Sequence, residues 1–150
     1  MGDIEILMNG LNGKDEKYAY ECLKELEELS ENSGEVYKYF DIFSDMLDDE
    51  KTYVRGRGII LISANAKWDK DNKIDEIIDK YLKHILDVKP TISRRCVKVL
   101  PNIAKYKPDL KSDIIFALKN ADISIYAESM SSILEKDIKA ALAEINAEKI

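Results

Sequence analysis

Apolar residues recur every three or four positions along most of the chain, which is the spacing of one face of an α-helix. The segment 74–85 shows this spacing most clearly, with apolar residues at 74, 77, 78, 81, 82 and 85. No stretch sustains the strict alternation of apolar and polar residues that a half-buried strand requires. The pattern therefore predicts an all-α protein.

The predicted helices come in pairs, and each pair is joined by a short polar turn. The pairs are 3–11 with 17–29, 37–47 with 53–67, 77–86 with 92–105, and 112–119 with 123–134. Pro90 blocks continuation of the helix that precedes it. We therefore expect one domain, 1–150, with units at about 3–30, 36–68, 74–107 and 110–135, and a capping helix at 136–149.

Aligning the four units brings small residues to one position near the start of the second helix. These residues are Cys22, Gly58, Cys96 and Ala127. In the second unit an Asp-rich turn and the pair Val54-Arg55 precede the small residue. This pattern resembles the HEAT repeats of the armadillo/HEAT superfamily. The resemblance spans about 3–135 and implies an α-α superhelix, a short HEAT-like solenoid of antiparallel helix pairs with a C-terminal capping helix.

The stretch Arg55-Gly56-Arg57-Gly58 has two interpretations, a phosphate-binding loop or the first turns of a helix. A phosphate loop places its glycines before the helix and usually follows a strand. Here the glycines fall inside the predicted helix and no strand precedes them, so we interpret Gly58 as a packing residue. Packing does not explain Gly56, which costs about 1 kcal/mol relative to alanine in an exposed helix.

All four arginines lie at the start of second helices in adjacent units. The resemblance implies that Arg55 forms a structural ion pair with an aspartate of a turn, and residues 48, 49 and 87 are the candidates. The other basic residues at equivalent positions form a predicted partner-binding stripe on the concave face, where such solenoids bind their ligands. The stripe, with one aromatic residue in register, consists of Arg57, Lys67, Arg95, Lys98, Lys105 and Tyr126. Purely structural roles remain an equally weighted alternative for Arg57 and Arg95.

The charge distribution agrees with a basic centre. The chain carries a net charge of −6, but residues 51–111 hold 15 basic and 7 acidic residues, which leaves the remainder at −14. Overall acidity argues against a general polyanion binder, although a local stripe can outweigh net charge. No segment is long and apolar enough for a membrane span. The start of the chain lacks the basic region of a signal peptide, and two separated cysteines favour a cytoplasmic protein with reduced thiols.

Candidates for chemistry are few. One histidine, His84, and two cysteines give neither a zinc set nor a catalytic triad, so we expect no metal, no cofactor and no catalytic residues. Trp68 and Asp69 with nearby cations resemble, weakly, the groove of HEAT-like DNA glycosylases, but no catalytic motif accompanies them. We therefore favour a non-catalytic scaffold that binds a protein or an acidic peptide. Nucleic-acid binding by the basic stripe is the alternative, and the oligomeric state is a monomer or a weak homodimer.

Overall fold

A computed structural model describes residues 3–147, and every regular element in that range is helical. The α-helices are α1 (Asp3–Leu11), α2 (Glu16–Asn32), α3 (Phe40–Met46), α4 (Thr52–Ala64), α5 (Lys73–Leu82), α6 (Pro90–Tyr106), α7 (Lys111–Asn120) and α8 (Glu128–Ala147). Short 3₁₀ segments cover Glu35–Tyr39, Ala66–Trp68, Lys83–Leu86, Pro108–Leu110 and Ile123–Ile125. The prediction of an all-α protein is confirmed. No helix within 3–147 is long and apolar enough to cross a membrane.

The helices pack as consecutive pairs, α1 on α2, α3 on α4, α5 with its 3₁₀ extension on α6, and α7 on α8. The second members of these pairs also pack side by side, in the order α2, α4, α6, α8. Each interior helix of this row therefore has a second helix on both sides. An ion pair between Arg94 and Asp137, with 2.7 Å between nitrogen and oxygen, joins α6 to α8.

The turns between helices are organised by aspartate side chains. Asp15 caps α2, since its carboxylate accepts a hydrogen bond from the backbone N–H of Tyr18 at 3.2 Å. Asp69 caps α5 in the same way, because its two oxygens accept from the N–H groups of Lys73 and Ile74 at 2.9 Å. Such bonds satisfy donors that have no partner within the first turn of a helix.

The small residues aligned across the units mark close contacts between helices. A side chain at Gly58 would place its Cβ 2.8 Å from the carbonyl oxygen of Phe43, so α3 and α4 meet at this point. Cys22 and Cys96 are almost completely buried at the equivalent places. Ala127 differs, because it is exposed and precedes α8. The packing role predicted for this position therefore holds in three units.

The C-terminal part of the chain departs from the predicted boundaries. Residues 123–134 and 136–149 were expected to be two helices, but α8 runs without a break from Glu128 to Ala147. Its buried residues Leu134, Ile138, Ala141 and Ile145 follow one helical stripe across the predicted boundary. The second helix of unit four and the cap are thus one helix, and residues 148 and 149 of the predicted cap lie outside the described residues.

Candidate partner-binding groove

Arg55 is a buried structural residue that joins two turns of the chain. Its guanidinium forms a bidentate ion pair with Asp87, with both nitrogen–oxygen distances at 2.9 Å. The remaining nitrogen donates to the backbone carbonyls of Asp49 and Glu50 at 3.1 and 3.0 Å. Of the three aspartates that the sequence offers, Asp87 is the one that Arg55 contacts. All its donors therefore point into the protein and away from a partner.

Asp87 collects further hydrogen bonds from its own turn. The backbone N–H of Lys89 donates to its carboxylate at 2.8 Å, and His84 donates from Nδ1 at 2.9 Å. Burial raises the pKa of Asp87, but the bonds from Arg55, Lys89 and His84 outweigh it and hold the pKa below its ordinary value. The Tyr126 hydroxyl donates to the backbone carbonyl of Asp87. Tyr126 was predicted to belong to the partner-binding stripe, but its hydroxyl forms its hydrogen bond inside the protein.

The low pKa of Asp87 predicts a specific loss of stability in acid. The carboxylate adds stability above about pH 4, the ordinary aspartate pKa of the unfolded chain, and loses it as the pH falls through the lower folded-state pKa. We expect the unchanged protein to have a larger free energy of unfolding than Asp87→Asn, and this difference should shrink below pH 4. Urea denaturation followed by circular dichroism from pH 3 to pH 7 measures this difference. A gap that stays constant over the whole range would contradict it.

Arg57 also forms its polar contacts inside the protein. It is 6% exposed, and its guanidinium donates to the backbone carbonyl of Leu11 at 3.2 Å and to the carboxylate of Glu16 at 2.5 Å. These bonds connect α4 to the turn between α1 and α2. The prediction that Arg57 lies open on a binding surface is wrong, because the neighbouring pair of helices covers it.

Lys67 and Lys105 lie at the opposite, C-terminal ends of the second helices. Lys67 donates to the backbone carbonyl of Glu31 at 2.7 Å, near the end of α2. Its nitrogen lies 5.8 Å from the ring centres of both Trp68 and Tyr106, and Lys105 lies 5.3 Å from that of Tyr106. Cations near helix C-termini are stabilised by unpaired carbonyls and by the helix dipole. These two lysines thus have structural partners, away from the open part of the predicted stripe.

Besides Lys105, two stripe residues of α6 are exposed, Arg95 and Lys98. Neither forms an ion pair or hydrogen bond within residues 3–147. Arg95 lies over Gly56 of α4, where an added Cβ would be 3.2 Å from Ile92 and 3.5 Å from the Arg95 guanidinium. Gly56 is thus buried at the crossing of α4 and α6, which the sequence did not reveal, and the atoms closest to the place of its missing Cβ are the ends of flexible side chains.

Gly56 forms part of the floor of a groove between the N-terminal ends of α2, α4 and α6. The groove has a volume of about 840 Å³, and Arg95 lies in its wall. Its other exposed residues are Glu16, Lys17, Tyr20, Tyr53, Lys89 and Thr91. Tyr20 is 56% and Tyr53 68% exposed, which is unusually open for such large rings.

The electrostatics of this groove favour an anion. Lys17, Lys89 and Arg95 have no ion-pair partner among the described residues, whereas the carboxylate of Glu16, also in the groove, is occupied by Arg57. Residues from the first turns of three helices line this space, and helix N-termini carry partial positive charge, although Asp15 caps α2. Among the six predicted stripe residues, only Arg57 and Arg95 line the groove, and only Arg95 is open.

The groove residues that the stripe prediction missed share a signal in the repeat alignment. Lys17, Tyr53 and Thr91 stand at one register position, five residues before the small residue of each unit. All three lie in the groove, because equivalent positions of parallel neighbouring helices face the same space. A comparison of all residues at the N-terminal ends of the second helices, and not only of the basic ones, would have identified these three groove residues.

The groups considered for catalysis have structural partners. Asp69 accepts from the Tyr37 hydroxyl at 2.6 Å and lies 3.3 Å from the Lys107 ammonium, and Trp68 donates to the carbonyl of Ser30 at 2.7 Å. Burial raises the pKa of the Cys96 thiol well above its ordinary range, so it carries little thiolate. Within residues 3–147 no cluster of three or more His, Cys, Asp or Glu side chains could hold a metal.

Comparison with known proteins identifies a structure of similar fold but no family. No protein-family model matches the chain, and no curated protein matches it in sequence. Among solved structures, the crystal structure of an engineered protein is similar, with a TM-score of 0.62 and 19% identity. The similarity covers 97% of this chain and 63% of that one, so this chain spans under two thirds of its length. At this identity the likeness concerns the helical fold alone.

Proposed function

We propose that the protein is a non-catalytic cytoplasmic adaptor that binds an acidic, extended segment of a partner protein in the groove between α2, α4 and α6. The observation that carries this proposal is a set of exposed cations whose side chains form no ion pair or hydrogen bond among the described residues, Lys17, Lys89 and Arg95, beside two exposed tyrosines. Cations and phenol hydroxyls bind carboxylates, and tyrosine rings add contact area at low entropic cost.

The same proposal includes a short HEAT-like solenoid as the scaffold. Three observations support it: the second helices pack in a row, small residues stand where helices meet, and Arg55 contacts the turn of the following unit. Grooves along such rows are binding surfaces in repeat proteins. The position of the groove agrees with that expectation, although its residues come from the ends of the helices.

A protein ligand is favoured over nucleic acid because the predicted basic stripe is broken. Arg57 is neutralised by Glu16, and Lys67 is occupied by a helix terminus. A nucleic-acid backbone needs a row of cations along several phosphates. Three exposed cations without an ion pair, Lys17, Lys89 and Arg95, lie together in one groove, which suits a short acidic segment better. The absence of catalysis in this proposal is supported by the buried thiols and by the engagement of His84 with Asp87.

Peptide selection from a random library tests the proposal directly. We expect the protein to enrich peptides rich in Asp and Glu. The charge reversal Lys89→Glu with Arg95→Glu should weaken a selected peptide at least about tenfold, as loss of close charge pairs does at other interfaces. Fluorescence anisotropy with the labelled peptide at fixed salt gives the affinities.

The matched control is Lys119→Glu with Lys136→Glu, two exposed lysines outside the groove that change the net charge equally. This control should keep the affinity within about twofold of the unchanged protein, because salt screens exposed charges that lie far from the groove. Equal loss in both variants would contradict a defined groove. Tighter binding of a labelled single-stranded or duplex oligonucleotide than of any peptide, with steep salt dependence, would establish the nucleic-acid alternative instead.

A further inference from the structure

The first helix of the row, α2, has a second-helix neighbour on one side only. On that side lies α4, whereas α4 and α6 are each flanked by second helices on both sides. The open side of α2 forms a second groove together with α1, with a volume of about 830 Å³. The stripe of α2 that faces it runs from Tyr18 to Asn32, a length of about 21 Å at the rise of an α-helix.

The floor of this α1/α2 groove is apolar and accessible. Ile6 of α1 and Tyr18 of α2 are each 44% exposed, and Leu29 of α2 is 38% exposed. Leu7 and the buried Cys22 complete the apolar floor. Exposed apolar side chains that are contiguous, and not scattered singly, are typical of interaction surfaces.

The walls of the groove are acidic. Its ionisable lining residues with charge at neutral pH are four carboxylates, Asp3, Glu21, Glu25 and Glu28, and no described lining residue is Lys or Arg. Glu21 and Glu25 stand four residues apart on one helix, where like charges are unfavourable. Burial raises the pKa of the Cys22 thiol between them, and the charges of Glu25 and Glu21 add to the rise. The α1/α2 groove is thus an apolar floor between unneutralised acidic walls.

We propose that the α1/α2 groove docks a basic amphipathic helix of a partner protein. A helix is the occupant because a helix covers the corresponding side of α4 and of α6, and the length of the stripe matches about four helical turns. Leu, Ile or Met residues on one face of the docked helix contact Ile6, Tyr18 and Leu29. Lys and Arg at the borders of that face pair with Glu21, Glu25 and Glu28.

This surface is separate from the groove proposed for acidic segments. That groove is lined by the first residues of α2, α4 and α6, and its free charges are positive, whereas the α1/α2 groove is negative and lies on the opposite side of α2. The two surfaces have no lining residue in common. A single chain therefore offers binding surfaces of opposite charge to two partners, and each surface is testable without the other.

The experiment uses three labelled synthetic helical peptides of about 16 residues. The first has Leu at helical spacing flanked by Lys and Arg, the second replaces each basic residue by Glu, and the third scrambles the first so that its apolar face is lost. We expect only the first peptide to bind in the α1/α2 groove. Any binding of the acidic second peptide should be lost in Lys89→Glu with Arg95→Glu, which assigns it to the other groove. Amide chemical shifts of α1 and α2 in NMR spectra should move on addition of this peptide.

Two variants test the two parts of the surface. Glu21→Lys with Glu25→Lys removes the charge, and Ile6→Ser with Leu29→Ser removes the apolar floor. Each is expected to weaken the basic peptide at least about tenfold. The matched control Glu76→Lys with Glu144→Lys changes two exposed glutamates elsewhere and should bind within about twofold of the unchanged chain. Circular dichroism confirms that each variant is folded.

Three results would overturn the proposal. One is equal binding of the basic and scrambled peptides, which would indicate attraction by net charge alone. Another is binding of the basic peptide that neither Glu21→Lys with Glu25→Lys nor Ile6→Ser with Leu29→Ser weakens. The third is sedimentation showing a dimer that Glu21→Lys with Glu25→Lys dissociates, because a second copy of the chain would then occupy the groove.

Discussion

Replacement of Asp87 by alanine is expected to lower the free energy of unfolding by about 3–5 kcal/mol, the cost of leaving one partner of a buried ion pair alone. The substitution removes the two carboxylate oxygens that accept from the Arg55 guanidinium, whose side chain is only 8% exposed, and leaves it the carbonyls of Asp49 and Glu50. It also removes the acceptor for Lys89 and for His84. Urea denaturation at pH 7 measures the loss.

Two further variants separate the ion pair from general damage at this turn. Asp79→Ala removes an exposed carboxylate of α5 and should change the free energy of unfolding by less than about 0.5 kcal/mol. Arg55→Leu with Asp87→Leu removes both charges and should recover part of the loss, because no unpaired charge stays buried. A cost below 1 kcal/mol for Asp87→Ala would show that water reaches Arg55 and solvates it.

The second large loss of stability is expected when Gly58 is replaced by alanine. Alanine there gains about 1 kcal/mol of helix propensity, but its Cβ would lie 2.8 Å from the backbone carbonyl oxygen of Phe43 and 3.0 Å from Cβ of Met46. The backbone of α3 must then move away from α4, and overpacking of this kind costs about 1–3 kcal/mol. We expect Gly58→Ala to be destabilising by thermal and by urea denaturation.

Gly56→Ala is the matched comparison in the same helix. The nearest atoms are the ends of flexible side chains, Ile92 Cδ1 at 3.2 Å and Arg95 Nη1 at 3.5 Å, which can turn aside. We therefore expect Gly56→Ala to be neutral or stabilising by up to about 1 kcal/mol. Equal stability of the two variants would mean that α3 is not held against α4 as tightly as its distance to Gly58 implies.

Much of the helical plan could be predicted from the sequence because apolar spacing and polar turns act locally. The pairs at 37–47 with 53–67 and at 77–86 with 92–105 overlap the observed helices, although their ends differ and 35–39 and 83–86 are 3₁₀ segments. The fourth unit could not be predicted in this way. The Tyr126 backbone is extended, and its hydroxyl bonds to the distant carbonyl of Asp87, so α8 begins later than the alignment suggests.

The site was less predictable than the fold, since exposure depends on neighbouring units. Arg57 and Arg95 occupy equivalent positions, but Glu16 and the carbonyl of Leu11 bind Arg57 directly, whereas Arg95 stays exposed and interacts with Glu27 only through the charge of its carboxylate. Equivalence in a repeat predicts which way a side chain points, and only the neighbouring sequence decides whether something covers it.

The side-chain contacts between helix pairs have a consequence for the order in which the chain can fold. Arg55 bonds to Asp87 across 32 residues, Tyr37 to Asp69 across 32, and Arg94 to Asp137 across 43. The entropic cost of closing a loop grows only with the logarithm of its length, so these closures differ by a few tenths of a kcal/mol. No closure has to wait for another, and nucleation can therefore begin at any of these three contacts.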